Sequence, residues 1–225
     1  MKRFIPLLLI MLGCGSSDVS ETKYATWSFG KPRINAFSVL TQVYNAGGTI
    51  DFSLQYRGIY PSYEQDQAMR QNIARALREW TSALDPSEYP YRVPEVRIGP
   101  TGSHTIIVDA SVTRSYALPE QKQMVLSGQY VNQYDPYAYR VILHEMGHFV
   151  GLADTYTEPG FQQPINQPQG IMNNVYSFDR LQADDILGVR SLWNYLRGKG
   201  PFCQNGYQVG GAYENRNQIA FCVPG

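Results

Sequence analysis

The stretch VILHEMGHFVGLADTY, Val141 to Tyr156, holds two of the chain's three histidines, four residues apart, with a glutamate directly after the first. On a helix of about 3.6 residues per turn, positions i and i+4 lie about 40° apart, so His144 and His148 project from one face, one above the other. Two imidazoles so placed can share one zinc ion at about 2.0–2.1 Å. Glu145 sits about 100° round from His144. That is out of line for a matching ligand and in place to take a proton from a water that the metal activates. The pentad alone leaves a second reading open, in which both histidines are hydrogen-bonded core residues and Glu145 lies at the surface.

The six residues after the pentad decide between them. Gly151, three residues past His148, can take the left-handed conformation that stops a helix abruptly, so the chain can double back. Asp154, three further on, then offers a carboxylate from the opposite side. The complete pattern H-E-x-x-H-x-x-G-x-x-D contains three ligand-type residues and the one glycine that its geometry requires. The only other histidine, His104, opens the apolar run HTIIVDAS. It is either the one imidazole left for a third ligand or, as expected here, a solvent-facing strand residue. Three histidines are too few for a second, structural zinc site.

Outward from this motif the chain alternates strand and helix signals. TIDFSLQY places Ile50, Phe52 and Leu54 at alternate positions, the period of a half-buried strand. From Ser62, the expected N-cap, to Leu84, the residues Ile73, Leu77, Trp80 and Leu84 recur at helical spacing. EVRIGP, HTIIVDAS and QMVLSGQYV read as three more strands divided by Gly, Pro and polar turns. The motif helix is expected over about 137–150, a loop rich in Pro, Gln and Asn over 155–174, and a last helix over about 183–197. That helix has Asp184 and Asp185 in its first turn, where its dipole favours carboxylates.

The 225 residues suffice for one sizeable core. Lys plus Arg and Asp plus Glu both number 19, with no run of like charge, so nucleic acid is not an expected partner. MKRFIPLLLIMLGCGSS reads as an export signal: Lys2 and Arg3, an apolar run from Phe4 to Leu12, then small residues, too short for a membrane span. Met11-Leu12-Gly13-Cys14 resembles a bacterial lipoprotein box, which implies that Cys14 is acylated and becomes the first mature residue. With Cys14 so used, Cys203 and Cys222 remain as one pair in an oxidising compartment. Their bridge would close a loop of about twenty residues, worth roughly 3 kcal/mol. The expected organisation is an export signal over 1–14, a tether or short pro-segment over 15–48, a catalytic-sized domain over 49–197 and a disulfide-closed tail over 198–225.

The full motif resembles that of the metzincins, a clan of zinc endopeptidases with a H-E-x-x-H-x-x-G-x-x-(H/D) helix and a later Met-turn beneath the metal. GIMNNVY, Gly170 to Tyr176, is similar to that turn, with Met172 as its base residue. LQADDILGVRSLW, Leu181 to Trp193, resembles the last helix of the matrixin subgroup, and Tyr176 follows Met172 at the matrixin interval. The strand and helix at Thr49 to Leu84, with Trp80, also look matrixin-like, so the resemblance covers about 49–195. The chain departs from matrixins at Asp154, where they usually carry histidine. Snapalysins carry aspartate there, followed as here by x-Tyr. No cysteine-switch motif is present.

The resemblance implies an α+β fold: a twisted mixed sheet of about five strands, a long first helix on it, the zinc helix, and a C-terminal helix in a smaller lower subdomain. It implies zinc held by His144, His148 and Asp154, with Glu145 as general base and calcium as a further candidate ion. Tyr156 or Tyr176 is available to the oxyanion, or simply packs. The implied partner is an extended peptide or protein, met by a monomer exported from a bacterial cell. With Gly15 after Cys14, the lipid anchor is expected in the outer membrane or at the cell surface, and plain secretion is the other option. The rival readings are a surface-anchored, catalytically silent peptide-binding module of the same fold and a purely structural zinc domain.

Overall fold

Ile50, Phe52 and Leu54 point to one face of a strand, β2, that runs Thr49–Arg57, and all three are buried. The computed structural model describes residues 48–84, 95–132, 135, 137–152, 170–172 and 178–196, with the backbone of three further strands at 28–30, 207–214 and 217–224. The chain leaves β2 through Gly58, at φ 66°, and enters helix α1, Tyr63–Ser82. Ser62 caps α1 as its sequence predicts. Its hydroxyl accepts from Gln65 N at 3.2 Å, and its own N–H donates to Gln65 Oε1 at 2.9 Å, so two donors at the helix start are satisfied reciprocally.

β3 (Glu95–Gly99), β4 (His104–Asp109), β5 (Tyr116–Leu118) and β6 (Gln123–Ser127) complete a five-stranded sheet in the order β3-β2-β4-β6-β5. All pairings are parallel except β5 with β6. Parallel neighbours need crossover connections, and α1 lies in the one between β2 and β3. Helix α2, Ala138–Val150, carries the histidine motif, and helix α3 spans Ala183–Leu196. Phe52, Ile106, Val108, Met124 and Leu126 of the sheet share one core with Ile73, Leu77 and Trp80 of α1 and Ile142, Met146 and Phe149 of α2. This is the α+β architecture expected from the sequence.

Three expectations change in detail. The strand anticipated over QMVLSGQYV ends at Ser127, and Gly128–Val131 forms a 3₁₀ turn. The cause is register: Ser127 pairs with Asp109, where β4 ends, so later residues have no ladder to join, and the turn instead buries Val131. β4 itself stops two residues early, because the Asp109 carboxylate accepts the N–H and hydroxyl of Ser111 at 2.8 and 2.7 Å and closes a turn. His104 is not solvent-facing. It is 2 % exposed, with its ring centroid 5.9 Å from that of Phe52 and 5.5 Å from that of Phe149. It pairs with Phe52 and shares the parity of Ile106 and Val108, so the pleat directs it into the core.

A separate three-stranded antiparallel sheet, in the order β1-β8-β7, joins β1 (Ser28–Gly30) to a hairpin of β7 (Tyr207–Glu214) and β8 (Asn217–Pro224). β1 falls in the stretch expected to be a tether and the hairpin in the expected tail. Cys222 stands opposite Val209 in this hairpin. Cys14 and Cys203 lie outside the described residues, and with them the expected lipidation and disulfide. Among the described residues no helix is long and apolar enough to cross a membrane.

Candidate metal centre

α2 presents His144 and His148 on one face with their ring centroids 4.9 Å apart and their planes at 85°. Each ring is fixed at its other nitrogen. His144 Nδ1 lies 2.8 Å from Ile171 O, and His148 Nδ1 lies 2.8 Å from Leu152 O. A carbonyl oxygen only accepts, so Nδ1 carries the proton in both neutral rings and Nε2 carries the lone pair. That is the tautomer a metal ligand requires, held by the kind of outer hydrogen bond that orients ligating histidines. Two core histidines paired for packing alone would not need the same nitrogen locked on both. Glu145 is 5 % exposed, which contradicts the alternative in which it lies at the surface.

The end of α2 builds the second of these locks. Gly151 takes φ 109° and ψ 15°, the left-handed region expected from the motif. Leu152 N then donates to Gly147 O and Gly151 N to His148 O, both at 3.0 Å. These two bonds form a Schellman motif. The turn that stops the helix thus brings the Leu152 carbonyl round to the ring of His148. Asp154, Tyr156 and Tyr176 lie outside the described residues, so the expected third ligand and the tyrosines are not placed. Among the described residues no group of three or more His, Cys, Asp or Glu side chains is gathered as a metal cluster.

The first lock comes from residues 170–172, reached from the far side of the chain. Asp185, fully buried in the first turn of α3, accepts from Ile171 N at 2.9 Å, from Met172 N at 3.3 Å and from Gln182 N at 2.8 Å. Burial pushes its carboxyl up to about 6, against the pull of these three backbone N–H groups. One carboxylate therefore caps its own helix and holds the turn whose Ile171 carbonyl orients His144. Close approach is needed on both sides. A Cβ on Gly170 would stand 2.4 Å from Asp185 Oδ1, and one on Gly147 would stand 2.2 Å from Met172 Sδ. Met172 is buried against Gly147, between the two histidines along α2.

No family model matches the chain, and no curated protein does. Among solved structures, that of myroilysin is similar, with a TM-score of 0.44 and 14 % identity over 65 % of this chain and 93 % of that chain.

The last turn of α1 ties these parts together. Glu79 accepts the Tyr139 hydroxyl of α2 at 2.5 Å and the Leu181 N–H, just before α3, at 2.9 Å. Burial, and then this carboxylate, hold the Tyr139 phenol well above its usual range, so it stays a donor. Trp80 Nε1 donates to Leu143 O at 2.8 Å, and Arg190 Nε of α3 donates to Ala83 O at 2.6 Å. Sequence reasoning assigns Asp185 only a favourable interaction with the helix dipole and gives Glu79, Gly147 and Gly170 no role. The available signals are the reach of an N3 carboxylate back to its cap at Gln182 and a glycine standing between two ligand candidates.

Proposed function

We propose that the chain is a zinc-dependent endopeptidase of metzincin type, with His144, His148 and Asp154 as ligands and Glu145 as general base. The observation that supports it best is the double lock of both Nδ1–H groups onto backbone carbonyls, which gives the two Nε2 atoms the same ligand-ready tautomer. When bound, zinc supplies a Lewis acid that polarises a scissile carbonyl and lowers the pKa of a water molecule. The chain's own part is to take that water's proton on Glu145 and return it to the departing amine. Glu145 is 5 % exposed, so little bulk water reaches it as a competing acceptor.

An extended peptide fits as a strand added to a sheet edge. Of the two edges, β3 carries the exposed pair Glu95 and Arg97, 3.1 Å apart, a charged rim of the kind that discourages pairing. β5 lies against α2 at the other edge, which makes it the proposed docking strand. Export, with acylation at Cys14, is proposed from the leader. Cys14→Ser should move the protein out of the membrane fraction of its host, and unchanged partitioning would remove the anchor.

Zinc content by elemental analysis, measured alongside cleavage of a peptide library, tests the main reading. Stoichiometric zinc with chelator-sensitive cleavage is expected. Zinc without cleavage of any peptide would leave the silent binding module. Asp154→Ala should lower zinc affinity sharply, whereas Glu158→Ala, Asp179→Ala and Asp184→Ala should leave the stoichiometry unchanged. Zinc lost in one of those three but retained in Asp154→Ala would overturn the ligand set.

A further inference from the structure

Trp80 reaches across from α1 to touch the residues immediately before both histidines. Its indole N–H donates to Leu143 O at 2.8 Å, and its Cζ2 lies 2.8 Å from the point where a Cβ of Gly147 would sit. Leu143 and Gly147 are one helical turn apart, as His144 and His148 are, so the indole lies along a stripe beside the ligand stripe. It also borders Met172, which approaches the same glycine. The ring is fully buried.

We propose that Trp80 is a positioning residue for the metal ligands, fixing the rotation of α2 about its own axis. The proposal rests on the zinc-endopeptidase reading. A helix held only by interdigitated aliphatic side chains can roll by several degrees at little cost. Rolling α2 by about 10° would carry each imidazole Nε2 by roughly 1 Å, since the rings stand well outside the helix cylinder. Metal–ligand distances tolerate only about 0.2 Å. The His148 lock cannot resist such a roll, because Leu152 moves with α2, and the Ile171 lock grips a side-chain ring rather than the helix backbone. A directed hydrogen bond from a rigid ring on another helix resists it, and the contact at Gly147 resists it a turn further on. A buried indole also needs an acceptor for its N–H, and the Leu143 carbonyl serves both needs.

The test removes the donor, in one protein with the bicyclic ring kept. Trp80→Phe and a protein with benzothienylalanine at position 80, which replaces the N–H by sulfur in a ring of the same shape, are compared with the parent. Zinc affinity of the apo proteins is read by chelator competition, and the cobalt-substituted forms by their visible spectra. Zinc affinity is expected to fall about tenfold in both, as for other outer partners of ligating residues, and the cobalt bands to shift. Ile73→Val, a buried substitution on the same helix, should lower the melting temperature and leave zinc affinity within twofold of the parent. If the benzothienylalanine protein also stays within twofold, Trp80 acts only through packing and the proposal falls. Loss of the apo fold in both Trp80 proteins would overturn it equally. A parent that binds no zinc would instead overturn the metal reading on which it rests.

Discussion

Glu145→Gln is expected to lower peptide cleavage by about 10²–10⁴-fold, the usual contribution of a general base, while zinc content and melting temperature stay near those of the parent. The amide matches the carboxylate in shape and keeps one acceptor oxygen, so the buried position beside His144 can hold it with little rearrangement. What it loses is the capacity to hold a proton at neutral pH. The drop should fall on kcat rather than KM, because in the proposed mechanism the residue acts on the water and the departing amine and not on the bound peptide. Single-turnover cleavage with zinc-saturated protein separates the two. Activity retained in zinc-loaded Glu145→Gln would mean that another group is the base.

The second large effect is expected at Asp185, which makes no contact with substrate in this reading. Asp185→Ala leaves the N–H groups of Ile171, Met172 and Gln182 without their acceptor. Each of the two buried donors so stranded, on Ile171 and Met172, costs about 1–3 kcal/mol, and the half-buried Gln182 N–H costs less. Even with water entering the vacated space, a loss of about 3 kcal/mol or more is expected, read as a lower denaturant midpoint in the apo protein. The Ile171 carbonyl is then no longer fixed against His144 Nδ1, so zinc affinity should fall as well, by roughly 10–100-fold. Gly170→Ala attacks the same junction from the other side by driving a methyl group into the carboxylate, and should act in the same direction on both measurements. A destabilised Asp185→Ala protein with undiminished zinc affinity would show that the turn does not orient the ligand.

The parts legible in the sequence are those written in local spacing. The histidine pair, the left-handed Gly151, the Ser62 and Gln65 cap and the alternation of β2 each need only a few neighbouring residues. The order of strands does not follow from such patterns, because β2 finds its partners more than forty residues away. β5 is not legible because three residues are too few for a period of two to register. His104 misleads because Ile106, Ile107 and Val108 are all apolar, so the run does not reveal which parity faces the core. The pairing with Phe52 does. Asp185 shows in the sequence only as one of two acidic residues at a helix start. Its function depends on Ile171, fourteen positions earlier in the chain.

The bonds that assemble the site also set when it comes into being. Glu79 meets Leu181 across 102 positions, Ala83 meets Arg190 across 107, and Trp80 meets Leu143 across 63. Closing such separations costs chain entropy before any contact repays it. The sheet and α1 can therefore form early, and the turn at Ile171 can reach His144 only near the end of folding. If the chain hydrolyses other chains, as proposed above, it gains a delay from this. While it is still partly collapsed, the Ile171 carbonyl has yet to reach the ring of His144. On the proposed reading, its own unfolded segments are then exposed before the site that could cut them is assembled.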